Sequence, residues 1–218
     1  YQDELVTLWH GDCLEATEWL KADVLITDPP YGVLWKPNEM GGGGGLGIRR
    51  AARSSDMSIS GDDNTDIRDK VLNQWGDKPA IVFGTWRKPR PQKVTHRLIW
   101  HKTGRHSGIN QTAPFFPNDE EIYIMGGGWL APPSPTVITT TEQRSAQPKI
   151  FGHPTPKPVG LMEHLVSKSP PGLIADPFAG SGSTLVAASN LGRAAIGCEL
   201  EEAYCEIIAN RLAAKTLF

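Results

Sequence analysis

The sequence is short of several things, and each shortage closes off a class of protein. Cysteine is scarce: Cys13, Cys198 and Cys205 are the three in 218 residues, and no two form a CxxC pair. An odd count without that spacing indicates neither a disulfide framework nor a zinc site, and no metal is expected. Long apolar runs are missing, since no stretch approaches the roughly 20 residues a membrane helix requires. The opening YQDELVTLWHGD lacks the basic start and apolar run of a signal peptide, and a cytoplasmic location is the expectation. A positive balance is missing too. The net charge of −2 excludes a protein basic over its whole surface, as a nucleic-acid coat would be.

What remains is ordinary for one globular domain with a sizeable core: 39% hydrophobic and 21% charged residues. The charge is unevenly spread. Residues 85–106 hold Arg87, Lys88, Arg90, Lys93, Arg97, Lys102 and Arg105 and no acid. Arg49, Arg50 and Arg53 form a second cluster. Such patches suit phosphate contact, with a solvated basic surface as the alternative.

Unbroken apolar runs at residues 5–9, 24–27, 80–84, 97–101, 121–125, 173–175 and 194–198 predict strands buried on both faces. Helical spacing of apolar residues predicts helices over 14–20, 66–75, 158–168, 184–191 and 201–212. Strand and helix in alternation predict a doubly wound α/β sheet. Two segments stand outside this scheme. Residues 33–61 contain five consecutive glycines, Gly41 to Gly45, followed by the arginine cluster, and read as a mobile loop near the active site. Residues 103–151 read as one strand in an otherwise irregular segment rich in Pro, Gly, Ser and Thr.

The segment DPFAGSGST, Asp176 to Thr184, follows one predicted strand and opens a predicted helix. Gly180 and Gly182 allow a tight turn and close approach of a ligand to the backbone, and a helix N-terminus favours an anionic group. Glu199, about 20 residues on, can accept hydrogen bonds from two ribose hydroxyls. A nucleoside-containing cofactor fits. Ser183 stands where a phosphate-cradling loop needs Lys, and Leu185 where a dinucleotide loop needs a third Gly.

LITDPPY, Leu25 to Tyr31, ends an apolar strand in an acid, two prolines and an aromatic ring. Prolines give a rigid segment with fixed carbonyl directions. Asp28 offers an acceptor and Tyr31 a stacking face. Acceptors beside a flat plate suit a base that carries an amino group.

DPPY and DPFAGSGST together resemble the DNA amino-methyltransferases, which modify adenine N6 or cytosine N4. HPTPKP at residues 153–158, GCELEEAY at 197–204 and Gly11-Asp12-Cys13 resemble further motifs of that family, in the order of its β group. The chain most resembles compact, phage-type stand-alone members. The resemblance implies a single methyltransferase domain over 1–218, a mostly parallel seven-stranded Rossmann-like sheet, S-adenosyl-L-methionine as cofactor and double-stranded DNA as partner. It makes 103–151 a candidate target-recognition insertion. Members of the β group often pair, so a homodimer is among the expectations.

For matching positions the resemblance implies roles. Asp28, Pro29, Pro30 and Tyr31 are catalytic. Asp176, Phe178, Ala179, Gly180, Ser181, Gly182, Ser183 and Thr184 line the cofactor, Thr155 and Lys157 hold its carboxylate, Glu199 and Leu200 take the ribose side, and Asp12 with Cys13 the adenine. Asp28 serves cofactor and base alike. Phosphate contacts fall to Arg49, Arg50, Arg53, Arg87, Lys88, Arg90, Lys102 and Arg105. Asp before the prolines is the habit of members acting on adenine, and Ser of those acting on cytosine. The rival readings are an N4-cytosine enzyme, a methyltransferase acting on RNA or protein, a non-catalytic binding module and, from the glycine loop alone, a nicotinamide-dependent oxidoreductase.

Overall fold

The structure is a computed structural model that describes residues 1–32, 64–103, 115, 118–141 and 156–214. Residues 33–61 with Arg49, Arg50 and Arg53, and also Arg105, His153 and Thr155, lie outside the described residues.

The strands are β1 (Val6–His10), β2 (Val24–Thr27), β3 (Ala80–Gly84), β4 (Val94–Lys102), β5 (Asp119–Met125), β6 (Val137–Thr140), β7 (Ile174–Asp176) and β8 (Ala195–Glu199). They form one sheet in the order β1-β8-β7-β2-β3-β5-β4-β6. All described pairings are parallel except those of β5, which runs antiparallel to both β3 and β4. The described helices are α1 (Asp66–Trp75), α2 (Val159–Lys168), α3 (Ser183–Asn190) and α4 (Glu202–Ala213). None is long and apolar enough to cross a membrane.

Period-2 alternation divides each central strand between two cores. Val24 and Ile26 face one side with Ile81 and Phe83, under Leu161 and Leu165 of α2, Leu185 of α3 and Ile208 of α4. Leu25 faces the other with Ala80 and Val82, under Val71 and Trp75 of α1 and Trp19. Trp19 and Trp75 stack with centroids 6.0 Å apart. Covering both faces is why these strands read as continuous apolar runs.

Two expectations are corrected. The sheet has eight strands, not seven, because β6 joins β4 in parallel within the 103–151 segment. Its sequence VITT is short, and no residue of it is fully buried, so it gave no apolar run. The same segment supplies β5, which sits between β3 and β4. The segment thus contributes two strands to the sheet. The second correction is at 14–20, where a 3₁₀ turn at Thr17–Lys21 replaces the helix. Asp12 takes the local donors: its carbonyl accepts from the Glu15 and Ala16 amides and its carboxylate from Leu14 N–H at 2.8 Å. The Trp19 indole N–H is tied to the Cys13 carbonyl at 2.8 Å.

At the edge of the sheet where β7 and β8 begin, one guanidinium closes the end of α2. Arg193 donates to the carbonyls of Val166 (3.1 Å), Pro170 (2.6 Å) and Gly172 (2.9 Å) and to Ser169 Oγ (2.6 Å). A cation suits a helix C-terminus. Arg193→Met should lower the urea-unfolding free energy by about 2 kcal/mol, because hydrogen bonds from a charged group are lost and carbonyls lose their donors. An unchanged midpoint would show that water replaces the guanidinium at no loss.

Candidate active site

The strand order places the site. β2 connects to β3 on one side of the sheet and β7 to β8 on the other, so the crevice between β2 and β7 is the switch point where open α/β sheets bind ligands. Both halves of the chain end a strand there. Thr27 Oγ1, at the end of β2, donates to Asp176 Oδ1, at the end of β7, across 2.7 Å.

Asp28 follows directly. Its Oδ1 accepts from the Tyr31 hydroxyl at 2.5 Å, and its Oδ2 pairs with the Lys157 ammonium. Burial pushes its carboxyl above the ordinary carboxylate range, against the pull of Lys157 and with a further push from Glu120. For Lys157 burial acts downward, but Asp28 and Glu120 together raise it beyond the usual lysine value, so it stays an ammonium. Tyr31, lifted by burial and by both acids, stays a hydroxyl donor. Gly32 lets the chain turn away: its φ is +74°, and a Cβ there would lie 2.6 Å from the Asn64 carbonyl carbon.

Glu120 is the residue sequence reasoning missed. Its Oε2 lies 3.3 Å from both Lys157 Nζ and Tyr31 Oη, and its Oε1 pairs with Lys102. The antiparallel course of β5 brings this strand start to the edge where the parallel strands end. The only sequence signal was a run of three acids, Asp119 to Glu121, at the mouth of an apolar strand. Lys102 is accordingly a correction. It is buried, with its ammonium on Glu120 and 4.3 Å from the Trp100 ring centroid, and is not placed to meet phosphate.

The remaining cations are also partly answered. Glu121 pairs with Arg90 at 3.2 Å and Arg97 at 3.0 Å, and Asp77 with Lys93. Among the described residues no ion pair engages Arg87 or Lys88. Arg87 lies 5.5 Å over the ring of Trp86, which is 67% exposed just beyond β3.

On the glycine-loop side, Glu199 at the end of β8 accepts from Gly180 N–H at 2.7 Å and Glu201 N–H at 2.9 Å, one on each oxygen. Two fixed donors orient the carboxylate and leave a lone pair on each oxygen. Gly180 and Gly182 take φ of +53° and +77°. Leu200 is half exposed next to Glu199. At Gly11, beside Asp12, an added Cβ would meet nothing within 4 Å, so the cleft is open there.

Several residues expected to line the cofactor turn their side chains to brace the loop behind the cleft. Cys13 turns its thiol into the second core, where burial lifts it to about 12. Asp176 is buried and holds Thr27 and the Phe178 amide, the latter at 3.2 Å. Ser183 donates to the Lys157 carbonyl at 2.7 Å, and Ser181 and Ser183 face each other at 3.4 Å. The Ser183 hydroxyl thus holds the backbone of Lys157 in place. Ala179 is buried and its N–H reaches the Cys198 carbonyl. Among the described residues no group of three or more His, Cys, Asp or Glu could hold a metal ion.

The profile of the DNA methylase family of N6 and N4 enzymes matches residues 49–210, and the chain belongs to that family. YubD of Escherichia coli (strain K12), which carries the name of a methylase, is 50% identical over 222 residues, covering 94% of this chain and 88% of its own. Among solved structures, M1.HpyAVI in complex with SAM superposes with a TM-score of 0.67 at 21% identity, over 95% of this chain and 99% of that one. The PvuII DNA methyltransferase, cytosine-N4-specific, gives 0.62 at 16% identity, over 97% and 87%. These two likenesses are of fold.

Burial lifts the Asp176 carboxyl from 3.8 to about 6, opposed by donors from Thr184, Thr27 and Phe178. The folded state therefore holds this proton more tightly than the unfolded chain does, and stability falls as pH rises between those values. The full difference is on the order of 3 kcal/mol. Asp176→Asn should remove a measurable part of the fall in melting temperature between pH 4 and pH 6, as scanned by thermal unfolding. An identical pH dependence in the variant would contradict the assignment.

Proposed function

We propose that this chain transfers a methyl group from S-adenosyl-L-methionine to N6 of an adenine flipped out of double-stranded DNA. The observation that carries the reading is the Asp28 carboxylate: ionisable, partly exposed and fixed beside a proline carbonyl at the switch point, one hydrogen bond (Thr27 to Asp176) from the glycine loop.

The residues of the cleft fit the cofactor. Glu199, oriented by two backbone donors, can take ribose hydroxyls. Asp12 has an acceptor for an adenine amino group, and exposed Leu200 and half-buried Phe178 offer apolar contact. Lys157 carries a charge for the methionine carboxylate, with Thr155 as its expected partner. The cofactor supplies an electrophilic methyl group on a sulfonium.

The lone pair of N6 is delocalised into the adenine ring. Asp28 and the Pro29 carbonyl accept its two hydrogens, which favours a pyramidal nitrogen and stabilises the positive charge that grows on it. Pro30 keeps the backbone rigid. The Tyr31 ring provides the stacking face, and its hydroxyl steadies Asp28. Flipping is required because the amino group is paired in the duplex. DNA lies over the strand ends, with Arg87, Lys88 and the exposed Trp86 next to the site, and with Arg49, Arg50, Arg53 and Arg105 as further expected contacts.

Duplex DNA incubated with the protein and labelled cofactor, then digested to nucleosides, should yield N6-methyladenine by mass spectrometry. N4-methylcytosine would transfer the reading to cytosine, and no methylated nucleoside would refute it. Asp28→Ala should lower single-turnover transfer by at least about 10²–10³-fold while the cofactor still raises the melting temperature. Because burial raises the Asp28 carboxyl and only its ionised form is a full acceptor, wild-type transfer should decline at a pH above the ordinary carboxylate range as acid is added.

Arg87→Glu with Lys88→Glu should weaken DNA binding and reduce the slope of log K against log salt by roughly 2, read by fluorescence anisotropy. An unaltered slope would place the DNA elsewhere.

A further inference from the structure

Asp28 has no idle oxygen. Tyr31 donates to Oδ1 and Lys157 pairs with Oδ2. Each oxygen keeps a further lone pair, so the carboxylate can accept an amino hydrogen from a base, as the proposed function requires, but a new donor shares the oxygens with these two and weakens their hold on it. Both are buried or half-buried, and Lys157 has the rings of Phe83 and Tyr31 at 5.0 and 5.5 Å on its flanks, which accept no conventional hydrogen bond. A buried ammonium and a phenol that lost Asp28 with nothing in exchange would face a large desolvation penalty.

Beside the cofactor carboxylate that the proposed function gives Lys157, one protein atom among the described residues offers the exchange to both donors. Glu120 Oε2 stands 3.3 Å from Lys157 Nζ and 3.3 Å from Tyr31 Oη, close enough to be the second acceptor of each and farther from each than Asp28 is. Its other oxygen is held by buried Lys102, which anchors Glu120 from the far side. Lys157 stands between two neighbouring acids, so the shift leaves its charge beside a carboxylate throughout.

We propose that Glu120 is a positioning residue for methyl transfer: it receives the Lys157 ammonium and the Tyr31 hydroxyl as Asp28 turns to the amino group of the target base. The inference rests on the methyltransfer reading above. Glu120 touches neither the base nor the cofactor in this role. It acts through Lys157 and Tyr31, at the stage when Asp28 gains its new partner, so its loss falls on the rate of transfer more than on the binding of either substrate.

The test compares wild type with Glu120→Gln, which keeps the shape and one neutral acceptor but loses the charge that makes ammonium contacts strong. Single-turnover transfer to unmethylated plasmid DNA should slow on the order of 10–100-fold, while the KM for S-adenosyl-L-methionine moves by less than about threefold, the pattern of an interaction made only on the way to the transition state. Glu120→Asp keeps the charge and withdraws the oxygen, and should slow transfer as well. It decides the matter if the glutamine variant does not fold. A structural readout needs no variant. In crystals of the wild type with S-adenosylhomocysteine and a duplex bearing a site it methylates, Lys157 Nζ and Tyr31 Oη should lie nearer Glu120 than Asp28. Wild-type transfer rates in a folded variant, or donors that remain on Asp28 in that complex, would overturn the role of Glu120. Absence of transfer by the wild type itself would instead refute the methyltransfer reading.

Discussion

The ion pair between Asp28 and Lys157 joins residues 129 apart in sequence, and the rest of the site is arranged around it. Removing a carboxylate and an ammonium from water is expensive, and their mutual attraction repays this only when geometry is good and other donors complete the shell. Here the shell is completed by Tyr31 on one acid oxygen, and by Glu120 and Lys102 behind the lysine. The backbone of Lys157 is fixed as well, through its carbonyl and the Ser183 hydroxyl at the head of α3. Thus the glycine loop holds the lysine, the lysine holds Asp28, and the loop's own Asp176 is bonded to Thr27, the residue before Asp28. The two motifs are one object braced at two points.

That object exists because of strand order. β1, β8, β7 and β2 are consecutive neighbours, and the residues beyond their carboxyl ends are Gly11 and Asp12, Leu200, Pro177 to Gly180, and Asp28. Four segments scattered over the chain become one rim. The opposite flank depends on the single reversed strand. Only because β5 runs against β3 and β4 does its beginning, at Asp119 and Glu120, reach the rim where β4 ends at Lys102. A parallel β5 would have put Glu120 at the far edge and left two lysines near Asp28 with one acid between them.

Local signals in the sequence carried much of this. An unbroken apolar run means a strand covered on both faces, and β2 and β3 have the bounds their runs predict. Asp28 and Glu199 stand at strand ends because acids follow those runs directly. Partnership was not legible. Lys102 sits in a stretch without acids, but its partner is 18 residues away on a strand whose direction no local pattern reveals. The same holds for Arg90 and Arg97, whose common acid, Glu121, lies across the β4–β5 ladder. A charge run in sequence is not a charge patch in space once a neighbouring strand supplies the counter-ions. Nor does a small polar residue in a glycine loop declare its direction: Ser181, Ser183 and Thr184 are all buried, serving the loop.

In the proposed reaction a carboxylate accepts hydrogens from a weakly basic amine, and it is subject to opposing demands. Burial makes it a stronger acceptor, since electrostatic interactions deepen as water is excluded, but burial also raises its affinity for a proton, and a protonated acid offers less. Lys157 and Tyr31 resolve the conflict by stabilising the ionised form from within the protein. They create a second conflict by sharing the oxygens the amine would use. A lone lysine would bind Asp28 too firmly to yield, and an apolar neighbour would leave it protonated. A lysine shared with another carboxylate satisfies both demands, because its hold on Asp28 can weaken without loss of its own partner. Among the described residues, two acids, two ammoniums and one phenol thus form a small set of groups that keeps a half-buried carboxylate both charged and available.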